Sequence, residues 1–201
     1  MKLSFEKDHL MNGINIVLKA VPSKTTMPIL ECILIDASDN QIKLTANDME
    51  LGIETKVEGS ILSKGKIALD AKLLSEIIRK LSGGESDITI ESDDKYNTTI
   101  TCDNSVFHIQ GKNGDEFSYL PFIEKDHFIC LSQFTLKEVI RQTLFSISVN
   151  DSNKMMTGEL FQVTDNELKV VSLDGHRMSI RKVELKDHYE NTKVIVPGKT
   201  L

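Results

Sequence analysis

The sequence predicts an α+β fold in which amphipathic helices pack on antiparallel sheets, with one such unit present twice. Three observations support this prediction. A block near the start of the chain recurs later, apolar residues early in each block repeat at helical spacing, and short alternating runs follow each helix in pairs separated by turn residues. The chain therefore combines helices and hairpins within a duplicated unit.

The duplication appears when the sequence is shifted against itself by 126 positions, which aligns residues 3–58 with 129–184 without a gap. Identical residues occur at Leu10/Leu136, Ile14/Ile140, Leu18/Leu144, Leu34/Leu160, Asp39/Asp165, Asn40/Asn166, Lys43/Lys169, Asp48/Asp174 and Lys56-Val57-Glu58/Lys182-Val183-Glu184. These matches sit at structurally sensible positions, which is what a duplicated domain should show.

Each copy contains a predicted helix followed by a predicted hairpin. The helical spacing involves Leu10, Ile14, Val17, Leu18 and Val21 in the first copy, and Leu136, Ile140, Thr143, Leu144 and Ile147 in the second. The predicted hairpins pair 33–37 with 41–46 around a turn at 38–40, and 160–163 with 167–171 around a turn at 164–166.

The first copy continues with a strand at 66–69 and a second helix at 70–81. The apolar stripe of that helix consists of Leu73, Leu74, Ile77, Ile78 and Leu81. Three further strands are predicted at 87–91, 98–102 and 106–110. Since the order of elements after each helix is similar, the first unit itself has the pattern of a half-duplication.

These elements divide the chain into a complete unit at 1–120, a linker at 121–128 and a second unit at 129–201. In the second unit, Val194-Ile195-Val196 matches the strand that precedes the second helix of the first unit. No counterpart of that helix follows before Leu201. We therefore expect the second unit to be only the first half of its fold.

The balance of charge argues against a uniformly basic nucleic-acid binder, because 24 Lys and Arg face 30 Asp and Glu, for a net charge of -6. Local surfaces differ from this average. Lys137 and Arg141 lie one turn apart on the helix of the second copy, and Lys72, Arg79 and Lys80 outnumber Glu76 on the helix at 70–81. The helix faces are therefore predicted to be basic within an acidic chain.

Other classes of protein find little support in the composition. The chain has no apolar run near the roughly 20 residues that span a bilayer, so we expect a soluble cytoplasmic protein without membrane contact. Cys32, Cys102 and Cys130 are odd in number and form no CxxC pair, which argues against a disulfide framework and a zinc site. No metal and no cofactor are predicted.

Four short segments carry a resemblance to a known family. They are Thr26-Met27-Pro28-Ile29-Leu30, Leu44-Thr45-Ala46-Asn47-Asp48, Asp174-Gly175-His176-Arg177-Met178 and Val194-Ile195-Val196-Pro197. Their order and spacing are similar to those of the bacterial DNA polymerase III beta subunit, the beta sliding clamp, and the resemblance covers the whole chain. It implies processivity-fold clamp domains, the first complete and the second truncated, in a subunit without catalytic chemistry.

The resemblance also implies partners. The family closes two subunits head to tail into a homodimeric ring around double-stranded DNA, and it binds the polymerase III catalytic subunit, the clamp loader and other proteins with a clamp-binding motif. Carried over residue by residue, DNA contact falls on Lys24, Lys72, Asn150, Asn153 and Lys199, with Lys137 and Arg141 on a helix face. For Lys24 and Lys72, an ordinary solvated lysine is the alternative.

By the same resemblance, a pocket for partner peptides falls on Met156, Leu173, Gly175, His176, Arg177 and Met178. Leu173 stands where the family often has a small polar residue, which predicts a more apolar wall. The subunit interface falls on Ile77, Leu81 and Phe107. An apolar stripe at helical spacing is usually core, so exposure of Ile77 or Leu81 in the isolated chain is what would favour the interface.

Two rival readings remain. Asp174, His176 and Arg177 could form a hydrolytic site with His176 as general base and Asp174 as its orienting partner, although the chain lacks the usual nucleophile and metal motifs. A repeat Asp after a hairpin, such as Asp48 and Asp174, is more often a turn residue than a catalytic one. The other alternative is a repeat-containing interaction module without a role on DNA.

Overall fold

The computed structural model describes residues 1–81, 87–118, 120, 128–149 and 153–201. The chain forms two compact units, Met1–Pro121 and Phe122–Leu201. Of the predicted linker at 121–128, only Phe128 lies within the described residues.

The first unit consists of two five-stranded antiparallel sheets and two helices. Its elements in chain order are β1 (Lys2–Phe5), α1 (Lys7–Val17), β2 (Cys32–Asp36), β3 (Ile42–Asn47), β4 (Gly52–Val57), β5 (Ser60–Ser63), β6 (Lys66–Asp70), α2 (Ala71–Lys80), β7 (Ile88–Ser92), β8 (Asn97–Cys102), β9 (Ser105–Gln110) and β10 (Lys112–Asn113). The sheet orders are β5-β1-β7-β8-β9 and β10-β6-β2-β3-β4.

The two halves of this unit exchange their first strands. β1 precedes α1 but pairs with β7 of the other half, and β6 precedes α2 but pairs with β2. Each half otherwise has the same order of strand, helix and three antiparallel strands. This topology supports the half-duplication predicted from the sequence.

Helix α1 packs on the sheet through a stripe of fully buried residues. Leu10, Ile14 and Val17 are all 0% exposed, as the predicted spacing requires. Gly13 lies on the same side and brings the helix close to β4, because a Cβ there would stand 2.4 Å from Val57 Cγ2. The absent side chain thus permits close contact between helix and sheet.

Helix α2 begins at a capped end and buries one face. The Asp70 carboxylate accepts a hydrogen bond of 2.7 Å from Leu73 N, which satisfies an otherwise free amide of the first turn. Leu74 and Ile78 are 0% exposed. Leu73, which the sequence placed in the same stripe, is 44% exposed and lies outside the core.

Two residues assigned by resemblance to the subunit interface belong instead to the core. Ile77 is 6% exposed and Leu81 is 4% exposed, and both pack in the main apolar cluster of the first unit. Side chains buried by their own unit have little surface left for a second subunit, so their interface assignment is corrected to a core role. Phe107, on edge strand β9, is half-buried and keeps part of its surface free.

The second unit contains α3 (Gln133–Thr143) and a two-stranded sheet of β11 (Gly158–Leu173) and β12 (Met178–Pro197). The Ser132 hydroxyl caps α3 by accepting a hydrogen bond of 3.0 Å from Thr135 N. The buried core is formed by Val139, Val163, Leu168, Val170 and Leu185. The strand register is the same in both units. Leu44 pairs with Thr55 in the first unit, and the residues 126 positions later, Val170 and Arg181, pair in the second.

The hairpin predicted around 164–166 is not divided into two separate strands. β11 is continuous over 16 residues, although Asp165 adopts a left-handed conformation with φ of 56° and the register shifts on both sides of it. Val163 pairs with Thr192 and Glu167 with Glu184, so the compensating extra residues lie in β12. The turn residues of the sequence thus mark an irregularity within a strand.

Leu73 and Leu74 are adjacent on α2, but only Leu74 is buried in the core. We expect Leu74→Ala to reduce the free energy of unfolding by about 2–5 kcal/mol, because it leaves a cavity under the helix. Leu73→Ala, the matched control, should change it by less than about 0.5 kcal/mol. Urea denaturation followed by circular dichroism measures both, and equal effects of the two substitutions would contradict the burial described.

Candidate functional site

The turn from Asp174 to Arg177 joins β11 to β12 and forms the rim of the candidate site. Asp174 Oδ1 accepts hydrogen bonds from the backbone N–H of His176 at 3.0 Å and of Arg177 at 3.1 Å. Asp174 Oδ2 accepts a third from Arg177 Nε at 2.8 Å. Gly175, with φ of 89°, takes the left-handed conformation that this turn requires.

The first unit contains the same turn at the position related by the repeat. Asp48 Oδ1 accepts from the backbone N–H of Glu50 at 3.0 Å and of Leu51 at 2.7 Å, and Met49 is left-handed with φ of 73°. The aspartate that recurs in both units is therefore a turn residue, as the sequence indicated.

These contacts leave no general-base pair around His176. The backbone hydrogen bond from His176, followed by those from Arg177, holds the pKa of the Asp174 carboxyl below its usual value. Within the described part of the chain, no side chain bonds to the His176 ring, which is exposed. A carboxylate occupied by backbone amides and a guanidinium does not orient an imidazole for catalysis.

An apolar cavity of about 270 Å³ lies beside this turn, and we call it the Leu173 cavity. Its lining residues are Asn153, Met155, Met156, Gly158, Leu160, Val171, Leu173 and Ile195. A second, shallower depression of about 260 Å³ is lined by Leu173, Gly175, His176, Arg177 and Met178. Leu173 borders both, so all six residues predicted for the pocket lie around one continuous region.

Of the eight residues that line the Leu173 cavity, the sequence predicted only Met156 and Leu173 as pocket residues. Leu160 and Ile195 are paired across the sheet. Val171 lies two positions before Leu173 on β11, so their side chains are on the same face. The alternation along β11 was visible in the sequence, but the pairing of Leu160 with Ile195 required the register. Gly158 permits the close approach of β11 and β12 beside the cavity, since a Cβ there would stand 2.5 Å from Val196 O.

Arg177 is held over the rim by two interactions. Its guanidinium bonds to Asp174, and its central carbon lies 5.9 Å from the centre of the Phe145 ring. A cation over an aromatic face at this distance is attracted by the ring quadrupole. Phe145 is 60% exposed, so this contact extends the apolar surface around the turn.

The basic residues predicted for DNA contact are found in different states. Lys72 is exposed on α2 beside exposed Arg79 and Lys80, and Lys24 is exposed in the loop before β2. None of Lys24, Lys72 and Lys80 has an ion pair with another described residue. In the second unit Lys137 and Lys199 are exposed.

The prediction of DNA contact names three further residues, of which two lie within the described part of the chain. Arg141 bonds to Glu138 through two contacts of 3.0 and 2.7 Å, which neutralise its charge and lower the pKa of Glu138. The outer face of α3 is thus less basic than its sequence indicated. Asn153 caps a short 3-10 turn by accepting from Met155 N at 3.1 Å and borders the Leu173 cavity, whereas Asn150 lies outside the described residues.

The described residues contain no helix that is long and apolar enough to cross a membrane. Nor do they bring together three or more His, Cys, Asp or Glu side chains in a way that could hold a metal ion.

Comparison with known protein families identifies both units. The model of the DNA polymerase III beta subunit N-terminal domain matches residues 1–121, and that of its central domain matches residues 130–201. The chain belongs to the DNA polymerase III beta subunit family. The resemblance found in the four sequence segments is thereby confirmed.

Relatives of this beta subunit family extend the match. The beta sliding clamp of Staphylococcus epidermidis is 36% identical, covering 100% of this chain and 55% of that protein. A DNA polymerase III beta subunit structure from Eubacterium rectale is 62% identical with a TM-score of 0.93, over 99% of this chain and 54% of that one. The DNA polymerase sliding clamp of Bacillus subtilis is 35% identical with a TM-score of 0.92, with the same coverage.

Two facts follow from these comparisons. The α+β clamp fold with helices on antiparallel sheets is confirmed. The chain spans about half the length of the relatives that it matches.

Proposed function

We propose that this chain supplies the first clamp domain, at 1–120, a linker at 121–128 and part of the second domain, at 129–201, of a non-catalytic sliding clamp. The clamp would encircle double-stranded DNA as a homodimeric ring and tether the DNA polymerase III catalytic subunit, the clamp loader and other motif-bearing proteins. The observation that carries this proposal is the match of the N-terminal and central domains of the family, in that order, to residues 1–121 and 130–201.

Retention by topology is the property that separates a clamp from an ordinary DNA-binding protein. The protein that carries this sequence, loaded on a nicked circular plasmid, is expected to stay bound at high salt and to leave once the plasmid is cut to a linear form. Equal retention on circular and linear DNA would contradict the ring.

We place half-buried Phe107 on edge strand β9 in the subunit interface, so Phe107→Asp should abolish retention on the circle.

DNA contact is supported by the exposed face of α2. Lys72, Arg79 and Lys80 are exposed there, and Lys72 and Lys80 have no ion pair with another described residue. Unpaired cations attract phosphates irrespective of base sequence, which a ring that slides needs. Arg141, already bound to Glu138, contributes less. We assign further contacts to Lys24, Lys137, Lys199 and the loop that holds Asn150 and Asn153.

Reversing one charge on α2 tests this contact in the isolated chain. We expect Lys72→Glu to weaken duplex binding equally for unrelated sequences and to reduce the slope of log affinity against log salt by about 1. Fluorescence anisotropy with two duplexes at several salt concentrations measures it. Lys64→Glu, with the same charge change on a distant exposed lysine, is the control. Identical salt slopes for both variants would exclude Lys72 from the contact.

Recruitment of partners is supported by the Leu173 cavity. Its walls combine Leu160, Val171, Leu173 and Ile195 with two methionines, a lining that fits apolar side chains of a short peptide. The exposed rim of His176 and Arg177 supplies polar groups beside it. We therefore place the docking of clamp-binding peptides over this cavity and its rim.

A charge introduced into the cavity wall tests this docking. Leu173→Asp is expected to weaken binding of a fluorescein-labelled clamp-binding peptide from the polymerase III catalytic subunit by about 10-fold or more, because a carboxylate would be desolvated against apolar groups. Fluorescence polarisation gives the affinity. Leu62→Asp, at an exposed leucine of the first unit, is the matched control. Unchanged affinity for Leu173→Asp would place the peptide elsewhere.

A further inference from the structure

The core of the second unit contains a group of polar residues at positions that are apolar in the first. Across the 126-residue repeat, the pairs are Val17/Thr143, Ala20/Ser146, Ile33/Glu159, Ala46/Ser172 and Ile53/Ser179. The first four members of the first unit are all 0% exposed, and their counterparts are 0–1% exposed. We call the five residues of the second unit the polar core cluster. Its members change together, so the packing of one region differs between the copies.

The hydroxyl groups of this cluster are already committed to one another and to the backbone. Thr143 Oγ1 donates to Val139 O at 2.7 Å, and Ser172 Oγ donates to Thr143 O at 2.5 Å. Ser146 and Ser179 share a hydrogen bond of 2.6 Å. These bonds join the end of α3 to β11 and β12.

Glu159 is the exception within the cluster. Glu159 is 0% exposed, and neither of its carboxyl oxygens has a hydrogen bond of normal geometry to another described residue. Buried charges in proteins are otherwise paired or bound to metal, because removing an ion from water costs several kcal/mol. An ionised Glu159 would therefore be strongly unfavourable here.

Among the described residues, no charge offsets this cost. The charged residues of the elements packed around Glu159 are Lys137, Glu138 and Arg141 on α3, Lys154 in the 3-10 turn before β11, Asp165, Glu167 and Lys169 on β11, and Arg181, Lys182, Glu184, Lys186, Asp187, His188, Glu190 and Lys193 on β12, with Lys199 just beyond it. None of them shifts the titration of Glu159. Burial raises the pKa of its carboxyl, and the Thr143 hydroxyl offsets part of that rise.

The Thr143 hydroxyl offsets only part of the rise in pKa, because its hydrogen is already engaged with the backbone. Its hydrogen is directed at Val139 O, so its oxygen is left to accept a hydrogen bond. A neutral Glu159 carboxyl has an O–H to donate, whereas a carboxylate does not. The geometry of the cluster is thus compatible with the neutral acid.

We propose that Glu159 keeps its proton in the folded second unit at pH values where exposed glutamates have lost theirs, and that this proton maintains both the α3–β11 packing and the shape of the Leu173 cavity. The link to the cavity comes from strand alternation. Gly158 and Leu160, which flank Glu159, face the opposite side of β11 and line the cavity. Displacement of Glu159 toward water would move both. This second part rests on the proposed peptide docking, whereas the first does not.

The sign of the pH dependence follows from the raised pKa. Below the ordinary pKa of glutamate, about 4.3, Glu159 is protonated in folded and unfolded chains alike. In that range its burial does not make the stability of the unit depend on pH. As pH rises above that value, the unfolded chain releases the proton and gains stability that the folded unit lacks. The second unit is therefore destabilised with rising pH until the folded pKa is passed.

The proton itself is tested in the unaltered chain. Glutamate labelled with ¹³C at the side-chain carboxyl gives one NMR titration curve per residue, and the curve absent from Glu159→Gln identifies Glu159. We expect a midpoint clearly above those of the other glutamates. A midpoint at the ordinary value, or a carboxylate signal throughout, would overturn the proposal.

Stability supplies a second, independent measurement. Glu159→Gln keeps the shape of the side chain but cannot ionise, so we expect its advantage in Tm over the natural chain to grow with pH, by at least about 2 °C from pH 4 to pH 8. Hydrogen exchange of β11 locates the effect in the second unit. Glu190→Gln, at an exposed glutamate of β12, is the control and should show no such trend. A pH-independent difference for Glu159→Gln would contradict the proton's role in packing.

Peptide affinity tests the link to the cavity. The labelled clamp-binding peptide should bind the natural chain and Glu190→Gln more weakly as pH rises through the Glu159 midpoint, by about 5-fold or more, and Glu159→Gln equally at all pH values. Equal pH profiles for Glu159→Gln and the natural chain would overturn the link. Absence of peptide binding at every pH would refute the proposed docking instead, and the NMR midpoint would still decide whether Glu159 holds a proton.

Discussion

Pairing of each half's first strand with the other half holds the first unit together. β1 joins β7 and β6 joins β2, so neither half can complete its sheet alone. The helices α1 and α2 contact each other and fill the space over these sheets with residues such as Leu10, Ile14 and Leu74. Because the inner faces of both helices are used for the core, their outer faces are free to carry charge. The outer face of α2 can carry Lys72, Arg79 and Lys80 because the inner face packs in the core.

The turn repeated in both units has acquired different surroundings. Asp48 and Asp174 make equivalent bonds to backbone amides, which explains why the aspartate is retained in each copy. In the first unit the residue before this aspartate is Asn47, which is buried and accepts a hydrogen bond of 2.7 Å from Met49 N. Its counterpart in the second unit is Leu173, which borders the apolar cavity. One backbone geometry thus supports a plain loop in one place and the rim of an apolar cavity in the other.

The cores of the two copies also differ in polarity. Ile33 and Ala46 fill the first unit with apolar groups, whereas Glu159 and Ser172 occupy the same places in the second. An apolar core is insensitive to pH, but a buried carboxyl without a partner couples its unit to the proton concentration. At the surface, the ion pair of Glu138 and Arg141 on α3 stands where the first copy has Asn12 and Asn15 on α1. The two copies therefore keep one architecture and differ in where polarity is placed.

The sequence by itself determined the repeat, the helices, most strands and the family, because apolar spacing and turn residues are local and survive duplication. It also indicated the role of Asp174, since an aspartate beside a tight turn bonds to amides within three residues. Tertiary structure alone decided which apolar residues are core, placing Ile77 and Leu81 inside and Leu73 outside. It also joined Leu160 to Ile195 in the cavity. These outcomes depend on strand register and on the direction of each side chain, which arise only when distant segments pack together.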